Sequence, residues 1–195
     1  MLRNRIVWGA IAVVFCITGM FIHAAKVDVP MEKQTDLLLK ALGYDRAILG
    51  RDGDVVRIGI VYNESSPESM SAFEQAGDCL FDEISAGRTV GNKKLTFSGL
   101  GYTSESNLQS MASNLGVAVF YVTPGNEGNL SPIVNVAKSE SILTFGSRGE
   151  YVDHGLATGV ELEEGKPRMV INLTNAKAQG ANFKAEFLKI ARLVQ

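Results

Sequence analysis

Cysteine is nearly missing: the chain has two, Cys16 and Cys79. Cys16 falls in an apolar run near the start, which leaves Cys79 alone in the rest. One thiol makes neither an internal disulfide nor a cysteine-based metal site. Between Leu80 and Asp78, Cys79 reads as a buried residue, with pairing between chains as the alternative. Histidine occurs twice, as His23 and His154. A nucleophilic site needs a base beside the nucleophile, and His154 has no nucleophile motif around it. There is no P-loop, no His-Glu-x-x-His, no calcium loop and no Gly-x-Ser-x-Gly. An excess of positive charge is also lacking. With 19 basic and 21 acidic residues the formal net charge is -2, and no Lys/Arg block stands out, so nucleic acid has no electrostatic footprint to meet. No cofactor and no metal are expected, and the chain reads as a protein without catalytic activity.

What is present begins at the N-terminus. "MLRNR" precedes "IVWGAIAVVFCITGMFIHAA", and no acid occurs before Asp28. A basic start, an apolar run and small residues read as an export signal over residues 1–25, cut after Ala25. The run is roughly 20 residues, which also suits an uncleaved membrane anchor, so both readings stand. Either one puts residues 26–195 outside the cytoplasm as a single domain. A hydrophobic fraction of 46% is enough for a folded core at this length.

The rest alternates. "DLLLKALGYDRAIL" predicts a helix over 36–49, and "VVRIGIVYN" a strand over 55–63. Ser66 and Pro67 open a helix that Gly87 ends. Then come a strand over 94–102, a short helix ending at Gly116, an apolar strand over 117–124, a helix from Ser131 through Val136 and a strand over 141–147. Strands without polar alternation are covered on both faces, as in a parallel sheet. Two further strands joined at "EEGK" form a hairpin. The spacing of Phe183, Phe187, Ile190, Ala191 and Val194 predicts a last helix. The fold class is α/β: a mainly parallel sheet flanked by helices on both faces, ending in an antiparallel hairpin and a C-terminal helix.

"LTFGSRGEYVDHGLATG" joins the parallel part to the hairpin. Gly146, Gly149, Gly155 and Gly159 are expected there for their freedom of φ. Ligands of open α/β sheets bind beyond strand C-termini, which makes Tyr62, Asn63, Thr123 and Ser147 ligand-crevice candidates, with Arg148 beside them. Arg148, Glu150, Asp153 and His154 are candidates for partner binding, with His154 also a candidate pH sensor because histidine changes charge near neutral pH.

"VINLTNAKAQGANFKAEFLKIAR" resembles the C-terminal signature of the YfiR family of bacterial periplasmic proteins. Ile171 and Asn172 match a strand end, Ala176 and Gly180 fall at family positions, and Leu188 and Ala191 match the following helix. Ala181 and Phe187 stand where leucines are usual. Upstream, Leu143, Thr144, Tyr151 and Gly155 fill the places of a second family segment. The resemblance covers roughly residues 34–194. It implies a structural role for Tyr151, Gly155, Asn172 and Gly180. It also implies a periplasmic regulator whose partner is the periplasmic domain of an inner-membrane signalling protein. In the founding type that partner is a membrane-bound diguanylate cyclase, which links the family to cyclic-di-GMP signalling and biofilm control. Homodimers are common in the family. The founding type carries disulfide-forming cysteines, and the lone Cys79 departs from that pattern. The second reading is a periplasmic small-ligand sensor or binding domain.

Overall fold

The computed structural model describes residues 28–194. The expected leader over residues 1–25 lies outside the described residues. In chain order the elements are α1 (Met31–Tyr44), α2 (Arg46–Gly50), β1 (Val55–Tyr62), α3 (Pro67–Ser85), β2 (Thr89–Val90), β3 (Lys93–Gly101), α4 (Glu105–Leu115), β4 (Val119–Val122), α5 (Leu130–Ser139), β5 (Leu143–Gly146), β6 (Thr158–Glu163), β7 (Lys166–Asn172), α6 (Leu173–Ala178), α7 (Ala185–Leu188) and β8 (Arg192–Val194). Two 3-10 turns, Glu127–Asn129 and Gly149–Val152, lie in the connections after β4 and β5. The strands make one sheet in the order β2-β3-β1-β4-β5-β6-β7-β8. The run β3-β1-β4-β5-β6 is parallel throughout, β6 and β7 form the antiparallel hairpin, and β8 returns parallel to β7. The α/β architecture expected from the alternation is present.

Burial on both faces explains the apolar strands. Ile58, Ile60, Val119, Tyr121 and Phe145 point into a core shared with α1, α3 and the C-terminal segment. Val61, Phe120 and Val122 point the other way, onto α4 and α5. Each such side chain, fully buried, is worth about 1.5–3 kcal/mol. The helix starts follow the sequence signals: Ser66 Oγ accepts from Ser69 N ahead of Pro67, and Ser104 Oγ accepts from Asn107 N. Gly116 ends α4 in the left-handed conformation at φ 64°, the usual glycine stop.

The first and last helices differ from expectation. The predicted helix over 36–49 starts earlier, at Met31, and breaks at Asp45, whose Oδ1 accepts from Ala47 N to start α2. The expected C-terminal helix is a single turn, α7, followed by β8. Phe183 and Phe187 are buried, and Phe187 stacks on Tyr44 at 5.2 Å, but Ile190 is 59% exposed. A continued helix would leave the outer backbone edge of β7 without partners, a cost that β8 removes by pairing with Val170–Asn172. Arg192 then reaches Glu161 with two hydrogen bonds of 2.6 and 2.9 Å. Cys79 is half-buried on α3 rather than buried. Burial and the acids Glu32, Asp82 and Asp78 push its thiol pKa up, which works against thiolate reactivity.

Asp45 ties the two ends of the domain together. Its Oδ1 also accepts from Asn182 N at 2.8 Å, and Asp45 bridges to Phe183. The residue is 1% exposed and its Oδ2 has no hydrogen-bond partner. Burial pushes the carboxyl above its usual range, against the pull of the Asn182 and Ala47 amides and Arg51. A carboxyl held high in the fold adds stability that is fully present below its unfolded pKa. That contribution is lost as pH rises through the folded value. Asp45→Asn keeps an acceptor for both amides and carries no charge. It is expected to unfold at an equal or higher urea midpoint than wild type at pH 7, and to lose that advantage as the pH is lowered towards 4.

Candidate functional site

The parallel strands β3, β1, β4, β5 and β6 all end at one edge of the sheet, and the connections leaving them build the site. β1 passes to β3 on one side of it, whereas β4 passes to β5 on the other. The connections therefore diverge between β1 and β4, the point at which open α/β sheets form a crevice. Here that point is filled from within. Thr123 Oγ1 hydrogen-bonds to Val61 O at 3.0 Å and to Ser69 Oγ at 2.6 Å. Buried Asn126 donates to Val61 O, Thr123 O and Thr123 Oγ1. Asn63 donates from Nδ2 to Gly125 O and accepts from Ser65 N. Tyr62 stacks on Phe73 at 4.3 Å. Of the four crevice candidates, Asn63 and Thr123 are committed to this turn network and Tyr62 to packing. Ser147 lines open space.

That space lies one connection further on, beyond β5 and β6. A crevice of about 330 Å³ is lined by Ser147, Arg148, Glu150, Val160, Glu161 and Leu162, and by Asp28 and Val29 from the N-terminal segment. Ser147 is 2% exposed and its Oγ has no hydrogen-bond partner. A buried hydroxyl without a partner is unusual, and this one lies at the wall of the crevice.

Arg148 dominates the electrostatics. Its guanidinium meets three carboxylates from three separate segments. Nε and Nη2 reach Asp28 at 3.4 and 3.3 Å, Nη1 reaches Glu127 Oε1 at 3.0 Å, and Nη2 also contacts Glu68 Oε1 at the start of α3. Glu127 Oε1 further accepts from the buried Tyr151 hydroxyl at 2.5 Å. Burial works against the charge on Glu127, but Tyr151, local amides and Arg148 outweigh it and hold the carboxyl below its usual range. Burial likewise opposes the charge on Arg148, and Asp28 and Glu68 more than compensate, so its pKa is raised. Burial and then Glu127 push the Tyr151 hydroxyl well up, so it stays a donor. Among the described residues no group of acids, histidines and cysteines is arranged to hold a metal ion, and these three acids converge on a cation of the protein's own.

The four partner-binding candidates therefore separate. Arg148 is an internal clamp, with its side chain 19% exposed. Glu150 lies in the 3-10 turn and lines the crevice. Asp153 and His154 follow that turn and are exposed. Asp28, Glu68 and Glu127 are the site residues that the sequence did not single out. They lie 120, 80 and 21 positions from Arg148, and no local motif connects them.

The family-pattern residues do structural work. Asn172 Oδ1 accepts from Asn175 N at 2.9 Å and caps α6, and Gly180 turns the chain after it at φ 81°. Of the loop glycines only Gly155 has a positive φ, at 104°. The expectation that all four supply freedom of φ is corrected: Gly146 and Gly149 sit in tight surroundings, and Gly159 is needed for close approach. Gly159 shows this most clearly, since an added Cβ would sit 2.8 Å from Arg148 O. Backbone cannot yield as a side-chain tip can. Gly159→Ala is expected to displace the Arg148 turn and lower stability by about 2 kcal/mol, read as a lower urea midpoint at unchanged denaturant slope.

Residues 56–192 match the YfiR/HmsC-like family. No curated protein matches this sequence. Among solved structures, a conserved domain protein from Vibrio cholerae superposes with TM-score 0.60 at 17% identity, over 87% of this chain and 61% of that one. The ABC domain in complex with L-Trp from Streptococcus pneumonia gives TM-score 0.60 at 16% identity, over 85% of this chain and 60% of that one. The ligand-free, open CD0873, a substrate binding protein with adhesive properties from Clostridium difficile, gives TM-score 0.57 at 15% identity, over 87% of this chain and 61% of that one. The chain thus covers less than two thirds of each of these proteins, and at such identities the likeness is one of fold. With the matched segment running from β1 to β8, the chain belongs to the YfiR/HmsC-like family.

Proposed function

We propose that this chain is a periplasmic regulatory binding protein that works without chemistry of its own, by docking the periplasmic domain of an inner-membrane signalling protein. A membrane-bound diguanylate cyclase is the partner class, which ties the protein to cyclic-di-GMP signalling and biofilm control. Family membership over residues 56–192 is the observation that carries this reading. Asp153 and His154, exposed beside the Arg148 clamp, and the exposed hairpin tip at 163–166 offer polar surface for recognition. Arg148 contributes by holding that turn in place rather than by touching the partner. Crosslinking in cells followed by mass spectrometry is expected to capture one inner-membrane sensor, and deletion of the gene to raise cyclic-di-GMP. Capture of no membrane protein together with unchanged cyclic-di-GMP would sink the reading.

A second reading, a small-ligand sensor, is favoured by one observation: the crevice of about 330 Å³ beside the unpartnered Ser147 hydroxyl. One fold relative is in complex with L-Trp, so amino acids and related carboxylates are the first compounds to test. A ligand that binds the native state raises the melting temperature by mass action. Thermal shift across a carboxylate library is expected to give at least one concentration-dependent rise, and a flat response counts against the reading.

A further inference from the structure

Asp28–Pro30, the described residues just ahead of α1, pack against the domain. Asp28–Pro30 runs across the strand C-terminal edge and divides the open space there into two. One part is the crevice of about 330 Å³ beside Ser147 and Glu161. The other, about 380 Å³, is lined by Gln34, Glu68, Ala72 and Pro124. Asp28 and Val29 line both.

The segment is held the way a ligand would be. The Asp28 carboxylate lies on the Arg148 guanidinium. The Val29 side chain is 4% exposed. The Val29 carbonyl accepts from Gln34 Nε2 at 2.7 Å, and Gln34 is fixed by the buried Tyr121 hydroxyl at 2.7 Å. The fit is also incomplete. The Asp28 contacts, at 3.3 and 3.4 Å, are longer than the 2.7–2.9 Å of well-formed charged hydrogen bonds. The Ser147 hydroxyl, buried at the wall of the space alongside, has no hydrogen-bond partner.

We infer that Asp28–Pro30 is an internal occupant of the opening between these two spaces, a strap that competes with an external ligand carrying a carboxylate and a small branched apolar group. The inference rests on the second reading above, in which the crevice receives a small molecule. The physics is that of a tethered competitor. A segment in the same chain faces its site at an effective concentration of order mM. An external ligand therefore binds with an affinity reduced by the fraction of molecules in which the strap is released. Weakening the strap raises that fraction and leaves the ligand's own contacts in place.

The test uses the full exported protein as purified, in wild-type form and as Asp28→Asn and Val29→Ala. The probe is the tripeptide Asp-Val-Pro, capped at both ends, titrated by calorimetry, with amide exchange over residues 28–34 followed in parallel. The Asp28 side chain is 41% exposed, so Asp28→Asn leaves the core intact, and Val29→Ala weakens the same segment by a separate contact. Both variants are expected to exchange faster over 28–34 and to bind the probe about fivefold tighter or more. Faster exchange with probe affinity equal to that of wild type would overturn the strap while leaving the crevice a ligand site. Binding to none of the three proteins would overturn the strap, while the thermal-shift response to the carboxylate library decides the ligand reading separately.

Discussion

Parallel strands admit no tight turn between them. Every parallel connection has to cross a face of the sheet before it returns. In this chain that constraint covers both faces of the central strands with helices, and it gathers the outgoing connections at one edge. Ile58 and Ile60 serve one core while Val61 serves the other. The polar residues that cannot join either core collect where the strands end. The turn network around Thr123 and Asn126, the crevice beside Ser147 and the Arg148 clamp all occupy that edge as a result.

Arg148 converts the edge into one unit. A planar guanidinium presents several donors in a fixed fork, and here it meets acids from the N-terminal segment, the first turn of α3 and the 3-10 turn after β4. Exposed ion pairs are worth little singly. This cation is largely withdrawn from solvent, and its acids are positioned by separate elements, so the arrangement fixes geometry more than it adds stability. Tyr151 supports it from below, with a buried ring and a hydroxyl on Glu127. Its hydroxyl is one of the groups that hold the Glu127 carboxyl below its usual range.

Much of the fold was legible because local rules and tertiary demand agree. The alternation of apolar strands with Ser- and Pro-started helices predicts β1, β3, β4 and β5 in order but not the two-residue β2, and the turn at "EEGK" predicts the hairpin. The misreadings occur where a distant partner overrides a local pattern. The stripe from Phe183 to Val194 has helical spacing, yet the unpaired edge of β7 draws Arg192–Val194 into a strand. The helix over 36–49 is periodic throughout, yet Asp45 breaks it to bond with Asn182. The loop glycines were visible as a group. That Gly159 serves close approach and Gly155 a positive φ depends on where β6 passes.

Composition and short-range spacing are enough to place the chain in its class. One cysteine beyond the N-terminal run, one histidine there, balanced charge and the strand-helix rhythm point to an α/β domain without a catalytic motif. The tail from Ile171 to Ala191 carries the family resemblance. These are properties of composition and of short-range spacing, which survive without coordinates. Which candidates meet depends on the packing of one element on another. Periodicity places side chains on a face of one element, but it carries no information about which face of another element lies opposite. Asp28, Glu68, Glu127 and Arg148 are brought together by the crossovers of a parallel sheet, and Tyr62, Asn63 and Thr123 are drawn into packing and turn bonds by the same crossovers.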